Sequence, residues 1–109
     1  MAWLVRNGDV LATAEVADTA ALRRRGLLGR DGIEGALVLW PCRHVHTARM
    51  RFTLDVALCD AQGRVLRTCT LPPWRVSPLL RGTAFVVEAE AGAFERWRLQ
   101  VGDIIELRQ

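Results

Sequence analysis

Hydrophobic residues along this chain gather into runs of strand length, separated by turn-forming residues, and the period of the clearest run is two. Thr53 to Asp60, "TLDVALCD", sends Leu54, Val56 and Leu58 to one side and Asp55, Ala57 and Cys59 to the other, as a half-buried strand should. "DAQG", 60–63, turns that strand back into "RVLRTCT", 64–70, a hairpin. Another hairpin opens the chain, because the apolar segments 2–6 and 10–16 flank Asn7 and Gly8, a dipeptide that tolerates the positive φ of a tight turn. "GALVLWP", bounded by Gly35 and Pro41, is a continuous apolar run whose β-branched and aromatic content favours a buried strand. "TAFVVEAEA", 83–91, and "GDIIEL", 102–107, read as two further strands.

Where the period lengthens, helices are expected. Asp18 can cap a helix running through "TAALRRRGLL", with Ala21, Leu22 and Arg25 on one face, until Gly26 or Gly29 ends it. "GAFERWRL", 92–99, makes a turn or two with Phe94 and Trp97 on one side. In "LPPWRVSP", Pro72, Pro73 and Pro78 donate no backbone hydrogen bonds, so 71–78 is a loop. Six or so strands and two short helices make one α+β unit, mostly antiparallel β, spanning 1–109.

Composition changes this picture little. One hundred and nine residues suit one domain, and 50% hydrophobic with 25% charged residues excludes disordered, collagen-like and coiled-coil classes. No apolar run approaches the ~20 residues that cross a bilayer, and the opening lacks a basic start followed by a long apolar stretch, so the expectation is a cytoplasmic protein with no membrane partner. Three cysteines, Cys42, Cys59 and Cys69, suit reduced free thiols. The hairpin puts Cys69 about five residues, ~17 Å, up the strand from the turn beside Cys59, beyond the ~7 Å that a disulfide allows. All 15 basic residues are arginine, for a net charge of +3, but only Arg23, Arg24 and Arg25 cluster. That spread fits the codon bias of a GC-rich genome better than a nucleic-acid surface.

Candidate chemistry concentrates in "PCRHVHTARMRFTLDV", 41–56. In an extended segment Cys42, His44 and His46 project from one face, as several metal ligands on one strand would, although a further ligand is needed and Pro41 can bend the segment. Cys42 and His46 could instead form a thiol–imidazole pair with Asp55 orienting the ring. The structural alternative makes Cys42 a small buried hydrophobe and Asp55 an acceptor for turn amides. Trp74, stiffened by its prolines, is either a plug over the core or an exposed platform. Arg49, Arg51 and Arg75 could receive an anionic group or simply be solvated. Gly102 and Asp103 are read as a structural turn into the last strand.

"RRRGLLGR" (Arg23 to Arg30), "HTARMRFTLDV" (His46 to Val56), "DAQGRVL" (Asp60 to Leu66), "PPWR" (Pro72 to Arg75) and "EAEAGAFERWRLQVGDIIEL" (Glu88 to Leu107), in that order, carry a resemblance over nearly the whole chain. By these the chain resembles the bacterial and archaeal family known as domain of unknown function 192. The family pattern falls on His46, Thr47, Met50, Arg51, Phe52 and Asp55. The chain departs from it at Leu28, Ala48, Arg49, Thr53 and Arg98, which bears on loop shape. The resemblance implies a small barrel-like domain and brings no established activity, substrate or cofactor with it.

The sequence therefore points first to a binding module for a small molecule or a protein partner. Its surface would be formed by His46, Thr47, Met50, Arg51, Phe52 and Asp55, with Trp74 completing it and no cofactor expected. The competing reading is a thiol- or metal-dependent enzyme using Cys42, His46 and Asp55. Both require a chain reversal near Arg49 that brings His46 and Asp55 together.

Overall fold

A computed structural model describes residues 2–109. The chain runs β1 (Ala2–Arg6), β2 (Asp9–Ala17), α1 (Ala20–Arg25), β3 (Ala36–Leu39), β4 (Leu54–Cys59), β5 (Val65–Leu71), β6 (Phe85–Glu90), α2 (Ala93–Trp97) and β7 (Ile105–Arg108). The seven strands form one sheet in the order β5-β4-β6-β3-β2-β1-β7, antiparallel except where β2 pairs with β3. The expected mostly antiparallel, barrel-like α+β fold is thus present, as a curled half-barrel with two short helices. At one end the curl brings the sheet's two edges together. Arg64 bridges Ile104, the Val65 amide donates to Asp103 at 2.8 Å, and the Ile105 amide donates to Gly63 at 2.9 Å. This closure needs Gly63, whose φ is +90° and where any Cβ would collide with the Ile105 carbonyl.

Local chemistry explains most of the elements. Asn7 and Gly8 both adopt positive φ, 52° and 81°, as the opening hairpin requires. Asp60 Oδ1 accepts from the Gln62 and Arg64 amides at 3.0 and 2.9 Å and shapes the β4–β5 turn. The helix cap differs from expectation by one residue: Thr19, not Asp18, accepts from the Leu22 amide at 3.1 Å, and Gly26 ends α1.

Two apolar clusters lie on opposite faces of the sheet. One, lined by residues such as Leu4, Val38, Ala57, Val87 and Ile105 and by Phe94 of α2, fills the curl. The other, with Leu37, Leu39, Leu54, Val56, Leu58 and Val86, lies beneath Leu27 of the turn after α1 and beneath Val45 and Met50 of the long β3–β4 connection. Strands β3 and β4 are therefore buried on both faces, as is all of β6 up to its last residue. For β4 this corrects the half-buried strand read from its alternation. The 41–53 segment is likewise a covering connection, and its one β-bridge is His46 with Val76.

Candidate functional site

Thr47 fixes the covering connection. It is fully buried, and its hydroxyl donates to the Pro72 carbonyl at 2.6 Å while accepting from the Arg75 amide at 2.8 Å. Its own amide donates to Arg75 at 2.8 Å, and its carbonyl accepts from Trp74 and Met50. Two residues earlier, the Val45 amide donates to Ser77 Oγ at 2.9 Å. The proline loop is therefore clasped to the 45–50 stretch, and Thr47 acts behind the surface instead of forming it.

Between this clasped stretch and α1 a cleft of about 380 Å³ opens onto the sheet. Arg23, Arg24 and Arg25 form one rim, and Cys42, His44 and His46 form the other. Leu27, Leu39, Val45 and Met50 supply apolar walls. Glu88 of β6 reaches the cleft from the sheet, flanked in register by Leu37 of β3 and Val56 of β4. A second cavity, of about 240 Å³, lies beside the stacked Trp40 and Phe85 rings, but its lining is mostly apolar and offers few converging polar groups.

Glu88 is the residue that the sequence reading missed. It is 4% exposed, and among the described residues no hydrogen bond or ion pair reaches its carboxylate. Among the described residues no fully sealed side-chain polar atom lacks a partner, so these oxygens must open toward the cleft that the residue lines. Burial alone pushes the carboxyl up from its ordinary 4.5 to about 7. Period-two reading of "FVVEAE" hides this group, because it puts Glu88 and Glu90 together on what would be the solvent side of a half-covered strand. The connection that covers this face of the sheet comes from a distant part of the chain.

The sequence-predicted residues divide among several places. Cys42, His44 and His46 share the cleft, although the described residues include no group of three His, Cys, Asp or Glu side chains that could hold a metal ion. The Cys42 thiol donates to the His44 carbonyl at 3.2 Å, and His46 Nδ1 accepts from the Ala48 amide at 3.3 Å. Burial pushes the Cys42 thiol up, opposed in part by the bond to His44 and reinforced by the Glu88 charge. That is the opposite of an activated nucleophile. Met50 is a wall of the cleft, and Phe52 packs against the cluster beneath it. Arg51 is exposed and ion-paired with Asp31 at 3.0 Å.

Asp55 does not join His46, which corrects the expectation that the two converge. In β4 the side chains of Leu54 and Val56 point toward the cleft side, so parity sends Asp55 through to the other face. There it accepts from Thr70 Oγ1 at 2.9 Å and from the Gly92 and Phe94 amides at 3.0 and 3.1 Å. Gly92 has no side chain with which to cap α2, and Asp55 supplies the missing acceptor from a neighbouring strand. Trp74 is 65% exposed at a φ of +66°, held out by the clasp at Thr47, so it is not a plug over the core. The three thiols are free, with Cys59 and Cys69 in clusters on opposite faces.

Comparison with known proteins agrees with this architecture. Residues 3–107 match the model of the DUF192 family, described as an uncharacterized ACR. A UPF0127 protein of Pyrococcus abyssi is 26% identical over 97 residues, covering 84% of this chain and 83% of that relative. The crystal structure of a Novosphingobium aromaticivorans protein of unknown function superposes with a TM-score of 0.82 at 20% identity, over 96% of this chain and 82% of that one. A Sinorhizobium meliloti protein, provisionally described as a transcription regulator, superposes with a TM-score of 0.77 at 20% identity, over 96% and 90%. At such identities the two structures speak for the fold alone. No described helix is long and apolar enough to cross a membrane.

Proposed function

The chain belongs to the DUF192 family, and we propose that it is a binding domain whose small polar ligand seats in the cleft between α1 and the 41–50 connection, with Glu88 as its anchor. The observation that carries this reading is the unpartnered Glu88 carboxylate. An ionised carboxylate largely withdrawn from water costs several kcal/mol unless something bonds to it, and among the described residues the fold supplies no partner. A ligand group that bonds to it offsets that cost. At about 380 Å³ the cleft lies at the small end of the range for ligand pockets, roughly 300–1,000 Å³. His44, His46 and Cys42 offer polar contacts on one side and the arginines on the other, while Leu27, Leu39 and Met50 supply apolar walls.

A library of small polar metabolites, screened by thermal shift and mapped by methyl NMR, tests the reading. Ligands should perturb Met50 and Leu27, and their stabilising effect should vanish in Glu88→Gln and weaken in His46→Ala. If every hit maps to the cavity beside Trp40, or binds Glu88→Gln as well as the parent, the cleft is not the binding site.

A further inference from the structure

We infer that this cleft is shaped for a short zwitterion, with an ammonium group on Glu88, an apolar stem along Leu39 and Met50, and an anionic group held at the rim by Arg24 and Arg25. The inference rests on the cleft being the binding site and adds the class of ligand. Three features support it. Among the described residues Glu88 is the sole acidic side chain lining the cleft, and it is buried there, where a cation is the group best able to compensate an isolated carboxylate. The chain's own cations leave that place open. Arg23 Nη1 donates instead to the Trp40 carbonyl at 3.3 Å, and no hydrogen bond or ion pair among the described residues joins Arg24 or Arg25 to an acid.

The opposite charges are also separated. Arg24 and Arg25 are exposed in the last turn of α1, Glu88 is buried in the sheet, and the cleft that all three line has Leu27, Leu39, Val45 and Met50 as its apolar walls. A ligand that satisfies both ends must carry its charges at the two ends of an apolar segment. Linear ω-amino acids have that form. Aminoalkyl phosphates share it, with a different anion at the arginine end.

The probes are γ-aminobutyrate, δ-aminovalerate and ε-aminocaproate, with pentylamine and pentanoate as matched compounds that each lack one charge, followed by methyl and amide NMR at millimolar concentrations. At least one aminoalkanoate should shift Met50, Leu27 and Leu39 and bind tenfold or more tightly than either matched compound. Glu88→Gln should cost the aminoalkanoate and pentylamine tenfold or more and leave pentanoate unchanged. The exposed double variant Arg24→Ala, Arg25→Ala should weaken the aminoalkanoate and pentanoate and spare pentylamine. If a single-charge compound binds the cleft as tightly as the best aminoalkanoate, or no aminoalkanoate moves these resonances, the zwitterion assignment is wrong. The cleft still stands in that event if hits from the broader library map to Met50 and depend on Glu88, and it falls with the assignment if none do.

Discussion

Replacing Glu88 by glutamine keeps the shape of the side chain and removes its charge, so the variant isolates what the buried carboxylate costs. The carboxyl rises from 4.5 to about 7 on folding. At about 1.4 kcal/mol for each pKa unit, the difference between the two states is about 3 kcal/mol. The sign follows from which state holds the proton. Below 4.5 both folded and unfolded chains are protonated and the group costs nothing extra. Between 4.5 and 7 the unfolded chain releases its proton while the folded chain keeps it, so stability falls as pH rises. Above about 7 the full penalty is present.

Urea denaturation of both proteins, without ligand, from about pH 4.5 to about pH 8 measures this directly. The charged and titratable groups around Glu88, namely Arg23, Arg24 and Arg25 of α1 and Cys42, His44 and His46 of the connection, are common to both proteins. The difference between the two proteins therefore reports the Glu88 charge together with its coupling to these neighbours, Cys42 among them. Glu88→Gln should match the parent at the acid end within about 1 kcal/mol and exceed it by about 3 kcal/mol at the alkaline end. With m values of roughly 1–3 kcal/mol per M, the midpoints should separate by at least about 1 M urea. Parallel profiles, with the same difference at every pH, would mean that the carboxylate is already hydrated or paired, and the basis for the binding proposal would be gone.

Asp55→Ala should destabilise the fold by roughly 3 kcal/mol, because it strips an ionic acceptor from the Gly92 and Phe94 amides and from Thr70. Ligand binding at the cleft should survive, and a loss of binding without a loss of stability would return Asp55 to the site. Thr47→Val should cost roughly 1–3 kcal/mol and speed hydrogen exchange at the Arg75 amide, and unchanged exchange would rule out the clasp. Site-resolved alkylation should find Cys42 slower than a free cysteine, with its thiol moving down in Glu88→Gln, and should find Cys59, pushed up to about 12, inert until the protein unfolds. Gly63→Ala should destabilise by roughly 2 kcal/mol or more through its positive φ and the Ile105 carbonyl, and a neutral result would show that the two sheet edges are not in contact.

Local signals in the sequence were legible because local forces set them. Asn7-Gly8 and Asp60 build their own turns, the prolines of 72–78 exclude a strand, and "GALVLWP" announces a strand covered on both sides. The 41–56 stretch was recognisable as unusual for its density of polar groups, and Cys42, His44, His46 and Met50 do line one cleft. The expected meeting of His46 and Asp55 failed on parity. Nine positions and an assumed reversal near Arg49 placed them side by side in sequence space. The pleat decides otherwise, because Leu54 and Val56 take the cleft side and Asp55 must take the other.

Glu88 shows the converse limit. Met50 and Val45, some forty residues earlier in the chain, and Leu27, more distant still, share its side of the sheet and line its cleft, so no window around "FVVEAE" contains its surroundings. The composition of the strand nonetheless poses a physical question that its structure sharpens. A valine or leucine between Leu37 and Val56 would extend the apolar cluster and add stability, whereas the acid subtracts about 3 kcal/mol at neutral to alkaline pH from a total of about 5–15 kcal/mol. Asp55 illustrates how the same fold treats a buried carboxylate that serves structure, surrounding it with three donors. Glu88 has none among the described residues, and it opens on a cleft. The difference between these two acids, one saturated by the protein and one left for something outside it, is the physical reason for placing the ligand at Glu88.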